Sequence, residues 1–248
     1  MKKLEIIVIL LVLVLVGIYY LLSPKANEFK EKDLLEVIRS RGYIKVGINP
    51  NSKPFGFMDS NNKFTGYDVD LAHYIAQAIL KNRDAIKIIP VTASNRLLKA
   101  STGEVDIIIS TVTITPQREE IVNFSKPYDV AGQALLVRSN SYITSITDLN
   151  GDNVGVIFGT TAEKNIKTLL PNINLIGFRN YNDAYLALKS GKINAITSDD
   201  TILNRFAIDD LSVKLLPKRY SKEPYGIAFK KGNPHSNLKM SLILRLMI

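Results

Sequence analysis

An α/β fold of two similar units is what this 248-residue chain predicts. Three observations carry that reading. Short apolar runs rich in β-branched residues alternate with helical patterns, the mark of parallel strands joined by helices. A second series of the same kind starts after Tyr128. No repeat at solenoid spacing and no low-complexity segment interrupts the two.

Taken in order, Lys2 and Lys3 precede Ile6 to Leu22, an uncharged and almost wholly apolar run ending in Tyr19-Tyr20-Leu21-Leu22. The run exceeds a signal core of roughly 7–15 residues and suits a membrane-spanning helix of about 17–25. No Ala-x-Ala site follows, and the Tyr pair fits a membrane interface. An uncleaved anchor within residues 1–28 is favoured over a cleaved signal peptide, and either places the remainder outside the cytoplasm. No later apolar run is long enough to span.

Asn27 to Arg41 reads as a lead-in helix stopped by Gly42, and Tyr43 to Ile48 as a strand followed by a loop, Asn49 to Phe57. Thr65-Gly66-Tyr67 turns into a helix from Asp68 to Leu80, with two acids in its first turn. The strand Ile86 to Val91 leads to the loop Thr92-Ala93-Ser94-Asn95-Arg96 and a short helix, then to the strand Val105 to Ile109. At its end stand the hydroxyls of Ser110, Thr111, Thr113 and Thr115. Thr115-Pro116 reads as an N-cap with proline at the first helical position, which puts Arg118 in the first turn. Hydroxyls, helix-start N–H groups and a guanidinium converging there would hold an anion; a plain strand–turn–helix with a solvated Arg is the alternative.

The second unit begins with the strand Gln133 to Arg138 and a polar loop to Asp148. Strands are expected at Asn153–Ile157, Leu175–Phe178, Asn194–Thr197, Val213–Leu216 and Tyr225–Phe229. Helices are expected from Thr161 to Leu170, Tyr181 to Leu188 and Asp200 to Phe206. Two units meeting near Tyr128–Gln133 imply a cleft, the preferred place for a ligand.

Composition narrows the function. With no Cys, disulfides, thiolate metal sites and Cys nucleophiles are excluded, and the two His lack metal-ligand spacing. His73 reads as a structural helix residue. A net charge of +9 arises from 32 basic residues dispersed among 23 acidic ones, without the basic tract that nucleic-acid binding needs. No cofactor is expected, and no phosphate-binding loop is present.

Several separated blocks, in order, resemble the family 3 extracellular solute-binding proteins, the polar amino-acid receptors of bacterial ABC importers. Thr65-Gly66-Tyr67-Asp68-Val69-Asp70-Leu71-Ala72 looks like that family's signature. Thr113-Ile114-Thr115-Pro116-Gln117-Arg118 with Asn123-Phe124-Ser125-Lys126-Pro127-Tyr128 looks like its ligand segment, and Glu223-Pro224-Tyr225-Gly226-Ile227-Ala228-Phe229 like its return crossover. The resemblance covers Leu34 to Pro234. It implies two Rossmann-like lobes joined by two crossover segments, a periplasmic binding protein of type II. Lobe 1 would be residues 29–131 plus 224–248, and lobe 2 residues 132–223.

On that resemblance Arg118 matches the arginine that grips the ligand α-carboxylate, and Thr113 a hydroxyl supporting it. Ser110 and Thr111 match positions lining the site, Thr160 and Thr161 would close onto the same carboxylate, and Asp199 matches the acid that takes the α-ammonium; a helix cap is the alternative for Asp199. Ala93-Ser94-Asn95-Arg96 looks like an element of the aspartate/glutamate-binding branch, with Arg96 pairing a second carboxylate. Losing such a desolvated partner costs about 2–5 kcal/mol; a solvated Arg at the helix start is the alternative. Ser52 and Ala93 are small where other branches carry aromatics, which favours a polar or acidic ligand side chain. Phe158 is an apolar wall or core.

The implied partners are a free amino acid, an ABC permease with a separate ATPase, and the membrane through the N-terminal segment, the receptor itself being a monomer. The family's usual Lys-Trp element is missing after Pro234, which implies a shortened lobe 1. A cyclohexadienyl dehydratase-like enzyme and a sensor lobe are the competing readings on the same fold.

Overall fold

The computed structural model describes residues 11–16, 18, 19 and 33–232. The expected N-terminal anchor lies for the most part outside them, and the shortened tail from Pro234 wholly so. Residues 11–16, 18 and 19 are helical. No helix among the described residues is long and apolar enough to cross a membrane. Met1–Lys32 and Asp33–Ile248 are separate compact units, and the second holds every strand of the described residues.

Helix α1 (Leu34–Arg41) is capped by the Asp33 carboxylate and ends at Gly42, whose φ of 82° is the left-handed conformation glycine adopts freely. Strand β1 (Ile44–Ile48) enters a small antiparallel sheet made of β2 (Asn51–Ser52), β3 (Gly56–Met58) and β4 (Phe64–Thr65). The sequence reads most of that hairpin as loop, because Pro50, Pro54 and short polar pieces leave no alternating run to detect. Then come α2 (Tyr67–Leu80), β5 (Ile86–Pro90), α3 (Arg96–Ser101), β6 (Ile107–Ile108), the single turn α4 (Pro116–Glu119) and β7 (Val122–Ala131).

The second series comprises β8 (Gln133–Arg138), β9 (Asn153–Ile157), α5 (Thr161–Leu169), β10 (Asn174–Phe178), α6 (Tyr181–Lys189), β11 (Ala195–Asp199), α7 (Asp200–Asp209) and β12 (Val213–Leu215). The chain returns through β13 (Glu223–Lys230).

Two five-stranded sheets result, ordered β5-β1-β6-β13-β7 and β10-β9-β11-β8-β12. Where helices intervene, pairing is parallel as expected: β1 with β5 and β6, β9 with β10 and β11. Each sheet also holds antiparallel members, which corrects the expectation of parallel pairing. Strand β8 pairs antiparallel with β11 and β12, and β13 with β6 and β7, because these strands enter or return through the crossovers.

The ten-residue β7 is the main element the sequence does not announce. Its run is polar, and Pro127 stands inside it. At the edge of its sheet the missing Pro127 N–H breaks no ladder on the open side, so the proline is tolerated there. The two sheets are thus joined by two crossovers, at Ala131–Gln133 and just before Glu223, as in type II periplasmic binding proteins.

Both faces of each sheet are covered, so the central strands are continuous apolar runs. Val46, Ile48, Ile107 and Phe229 pack on α2 through Val69, Ala72, Ile75 and Ile79. Val137, Val154 and Val156 pack on Ile166 of α5, and Leu136, Ile157 and Ile196 on α6 and α7. Strands β1 and β6 therefore stop just before Asn49 and Ser110, and β11 at Asp199, at the carboxyl edges where α/β folds bind ligands.

Candidate ligand-binding site

Those strand ends enclose a small pocket lined by Asn49, Ser52, Ala93, Arg96, Thr111, Thr113, Thr160, Thr161, Tyr181 and Asp199. Six of the eight residues singled out in the sequence line it. Arg118 and Ser110 are outside the lining but bonded to it, Arg118 donating to Thr113 O and Ser110 O accepting from Arg96.

Thr115 caps α4 as its sequence predicts, its hydroxyl accepting from the Arg118 N–H at 3.3 Å with Pro116 next in the chain. With only four residues, α4 offers little dipole, so the anion-holding capacity rests on the Arg118 side chain rather than on the helix start. That guanidinium is 9% exposed and donates to Thr113 O at 2.8 Å and across the cleft to Gly159 O at 3.1 Å. Two of its five N–H groups are so committed, and the others remain for a carboxylate. Burial, with the Arg96 charge nearby, lowers its pKa to about 10, so it stays a cation.

Thr160 and Thr161 begin α5, where no intrahelical carbonyl takes the first N–H groups. Their hydroxyls are engaged within the protein. Thr160 Oγ1 donates to Ile157 O at 2.7 Å, and Thr161 Oγ1 to Glu223 Oε2 at 2.7 Å. Thr113 Oγ1 meets Thr161 Oγ1 at 3.5 Å, a second link across the cleft. Gly159 makes a third, because a Cβ there would stand 2.7 Å from Ser94 Cα and its φ is +79°.

Asp199 ends β11 and precedes α7, yet its carboxylate makes no cap bond. Oδ2 instead accepts from the Tyr225 hydroxyl at 2.5 Å. The helix-cap reading therefore does not describe the side chain. Burial raises its pKa to about 6, and the Tyr225 hydroxyl acts against that.

Arg96 is 3% exposed, so it is not a solvated helix-start residue. Its Nη1 donates to Ser110 O and, at 3.3 Å, to Thr111 O, while Nε has no partner. Burial lowers its pKa too. Ser52 Oγ and Ser110 Oγ are likewise buried without partners. Phe158 is neither wall nor core: it is half-exposed and lies over Gly177 of β10.

Asn49, Tyr181, Tyr225 and Glu223 are not legible in the sequence as site residues. Tyr181 opens α6 and hydrogen-bonds Ser198 at 2.9 Å. Glu223 accepts from Thr161, Asn165 and Ser221. Both sit in runs whose sequence signals only an element boundary.

The profile of the bacterial extracellular solute-binding proteins, family 3, matches residues 44–244. This chain belongs to that family. It is 39% identical to a glutamine-binding protein of Geobacillus stearothermophilus over 79% of this chain and 76% of the relative. It is 36% identical to the ABC transporter glutamine-binding protein GlnH of Bacillus subtilis over 85% and 78%. In three dimensions it is similar to the arginine-bound, truncated ArgBP from T. maritima, with a TM-score of 0.79 at 33% identity, covering 86% of this chain and 100% of that one. As a family 3 solute-binding protein, it has its pocket at the strand ends facing both sheets. Among its described residues, no group of His, Asp and Glu could hold a metal ion.

Proposed function

We propose that this chain is the substrate-binding component of an ABC amino-acid importer and captures an acidic amino acid, aspartate or glutamate. One observation carries the reading. Arg96 and Arg118 are both buried at the pocket, and neither guanidinium is in an ion pair within 4.0 Å among the described residues. A buried charge without a partner is costly. A ligand with two carboxylates and one ammonium would supply both missing anions and give Asp199 its cation. Arg118, Thr113, Ser110, Thr111, Thr160 and Thr161 would hold the α-carboxylate, Asp199 the α-ammonium and Arg96 the side-chain carboxylate.

Lobe 1 would then comprise Asp33–Ala131 with Pro224–Gly232 among the described residues, and lobe 2 Gly132–Glu223, closing because one ligand bonds to both. The receptor would work outside the cytoplasm, held by its N-terminal segment, and deliver its ligand as a monomer to a permease with its own ATPase.

Glutamine is the second reading, favoured by the two relatives named as glutamine-binding. Its amide oxygen would accept from Arg96 but leave the charge uncompensated. Calorimetric titration with each proteinogenic amino acid decides between them: glutamate or aspartate is expected to bind more tightly than glutamine. Tighter glutamine binding would remove the acidic assignment, and turnover of prephenate would replace a receptor with an enzyme.

A further inference from the structure

Thr111 is β-branched and nevertheless holds a φ of 47°. The left-handed region is a genuine outlier for such a residue, so something must hold it there. Two groups converge on it. Arg96 Nη1 bonds to the carbonyls on both sides of the turn, Ser110 O and Thr111 O. From the edge strand β7, the Tyr128 hydroxyl accepts from the Thr111 N–H at 3.0 Å. The same hydroxyl donates its only proton to Asp68 Oδ1 at 3.1 Å. Asp68 is fully buried in the first turn of α2, and its second oxygen has no partner.

We propose that Tyr128, oriented by Asp68, is a positioning residue of the ligand pocket: it clasps Thr111 in the left-handed turn whose carbonyls aim Arg96 at the ligand side chain. The clasp acts through backbone. Tyr128 does not line the pocket, whereas Thr111 and Arg96 do. Because the phenol's proton is committed to Asp68, its lone pairs face Thr111, which makes the N–H bond directional. Burial raises Asp68 to about 7, and the Tyr128 hydroxyl, by donating to it, opposes that rise. The link to ligand recognition rests on the amino-acid reading above; the clasp itself does not.

A double-mutant cycle in the full chain tests it. Glycine adopts a positive φ at no steric cost, so the clasp matters less once Thr111 is replaced. Tyr128→Phe is expected to weaken glutamate or glutamine binding about tenfold in the Thr111 protein and less than about threefold in a Thr111→Gly background. Its loss of Tm, measured without ligand, is expected to be at least about twice as large with Thr111 as with the glycine. Asp68→Asn, which keeps an acceptor for the hydroxyl, is expected to stay closer to the unmutated protein than Asp68→Ala in both readouts. Equal effects of Tyr128→Phe in the two backgrounds would mean the hydroxyl does not act through the Thr111 turn and would overturn the proposal. A protein that binds no amino acid would remove the amino-acid reading, while the thermal cycle still decides for or against the clasp.

Discussion

The two ends of the pocket are built differently. At the Arg118 end, groups from both sheets meet: Arg118 reaches Gly159 O, Thr113 meets Thr161, and Thr161 is tied to Glu223 on the returning strand. At the Arg96 end, Asn49, Ser52, Ala93 and Thr111 come from the first series of elements, while Tyr181 of α6, and Gly159 against Ser94, approach from the second. The difference teaches a division of labour. On the proposed two-lobe reading, an end braced from both sides would couple binding to closure, because each bond would span the moving parts. An end built mainly from one side can vary in chemistry with less disturbance of that motion, and so suits the choice of side chain.

Removing the brace should have the largest effect. Arg118→Ala is expected to cut affinity for any amino-acid ligand by more than about a hundredfold, in line with loss of a buried charge partner; isothermal calorimetry that finds less than twofold would break the comparison. Gly159→Ala comes next. The added Cβ would meet Ser94 Cα at 2.7 Å in a residue of positive φ, so closure should be blocked. Small-angle scattering should then show no ligand-induced compaction, with affinity down about tenfold or more.

Arg96→Met should act on one end alone. Glutamate affinity is expected to fall about tenfold or more while alanine, which presents only the α-groups, changes less than about threefold. A parallel fall for both would show that the two ends are not separate.

The smallest effect is a pH dependence. On the proposed reading a ligand ammonium would pair with ionised Asp199, whose pKa burial raises to about 6. Affinity should therefore fall as pH drops through 6, and Asp199→Asn should weaken binding and flatten the profile. The sign for ligand-free stability is opposite. Asp68 and Asp199 are both raised above the ordinary 3.8, so their contribution is fully present below pH 4 and is lost as pH rises through 6 to 7. Thermal melts from pH 4 to 8 should be less steep in Asp199→Asn than in the unmutated protein.

Much of the fold was legible because its signals are local. Thr115-Pro116 marks a helix start whatever surrounds it, and the apolar runs at Asn153–Ile157 and Val105–Ile109 mark buried strands. Strand β7 was hidden because Pro127 and polar neighbours erase the local signal, and only its place at a sheet edge makes them acceptable. The candidate site divides in the same way. Residue types at one strand end and helix start pointed to Arg118, Thr113 and the neighbouring hydroxyls, and the family resemblance brought in Thr160, Thr161, Asp199 and Arg96. Neither spacing nor composition could reveal that Thr160 and Thr161 spend their hydroxyls on Ile157 and Glu223.

By itself, then, the sequence determined the α/β class, the two series of elements, the family and most of the residues at the pocket. Each of these comes from patterns a few residues long or from blocks of recognisable order. The tertiary structure alone decided that Arg96 is buried against the Ser110–Thr111 turn, that Tyr225 rather than a helix end takes the Asp199 carboxylate, and that Tyr128 joins Asp68 to Thr111. Those pairs lie far apart along the chain, and only the folded path of strands and crossovers brings donor to acceptor.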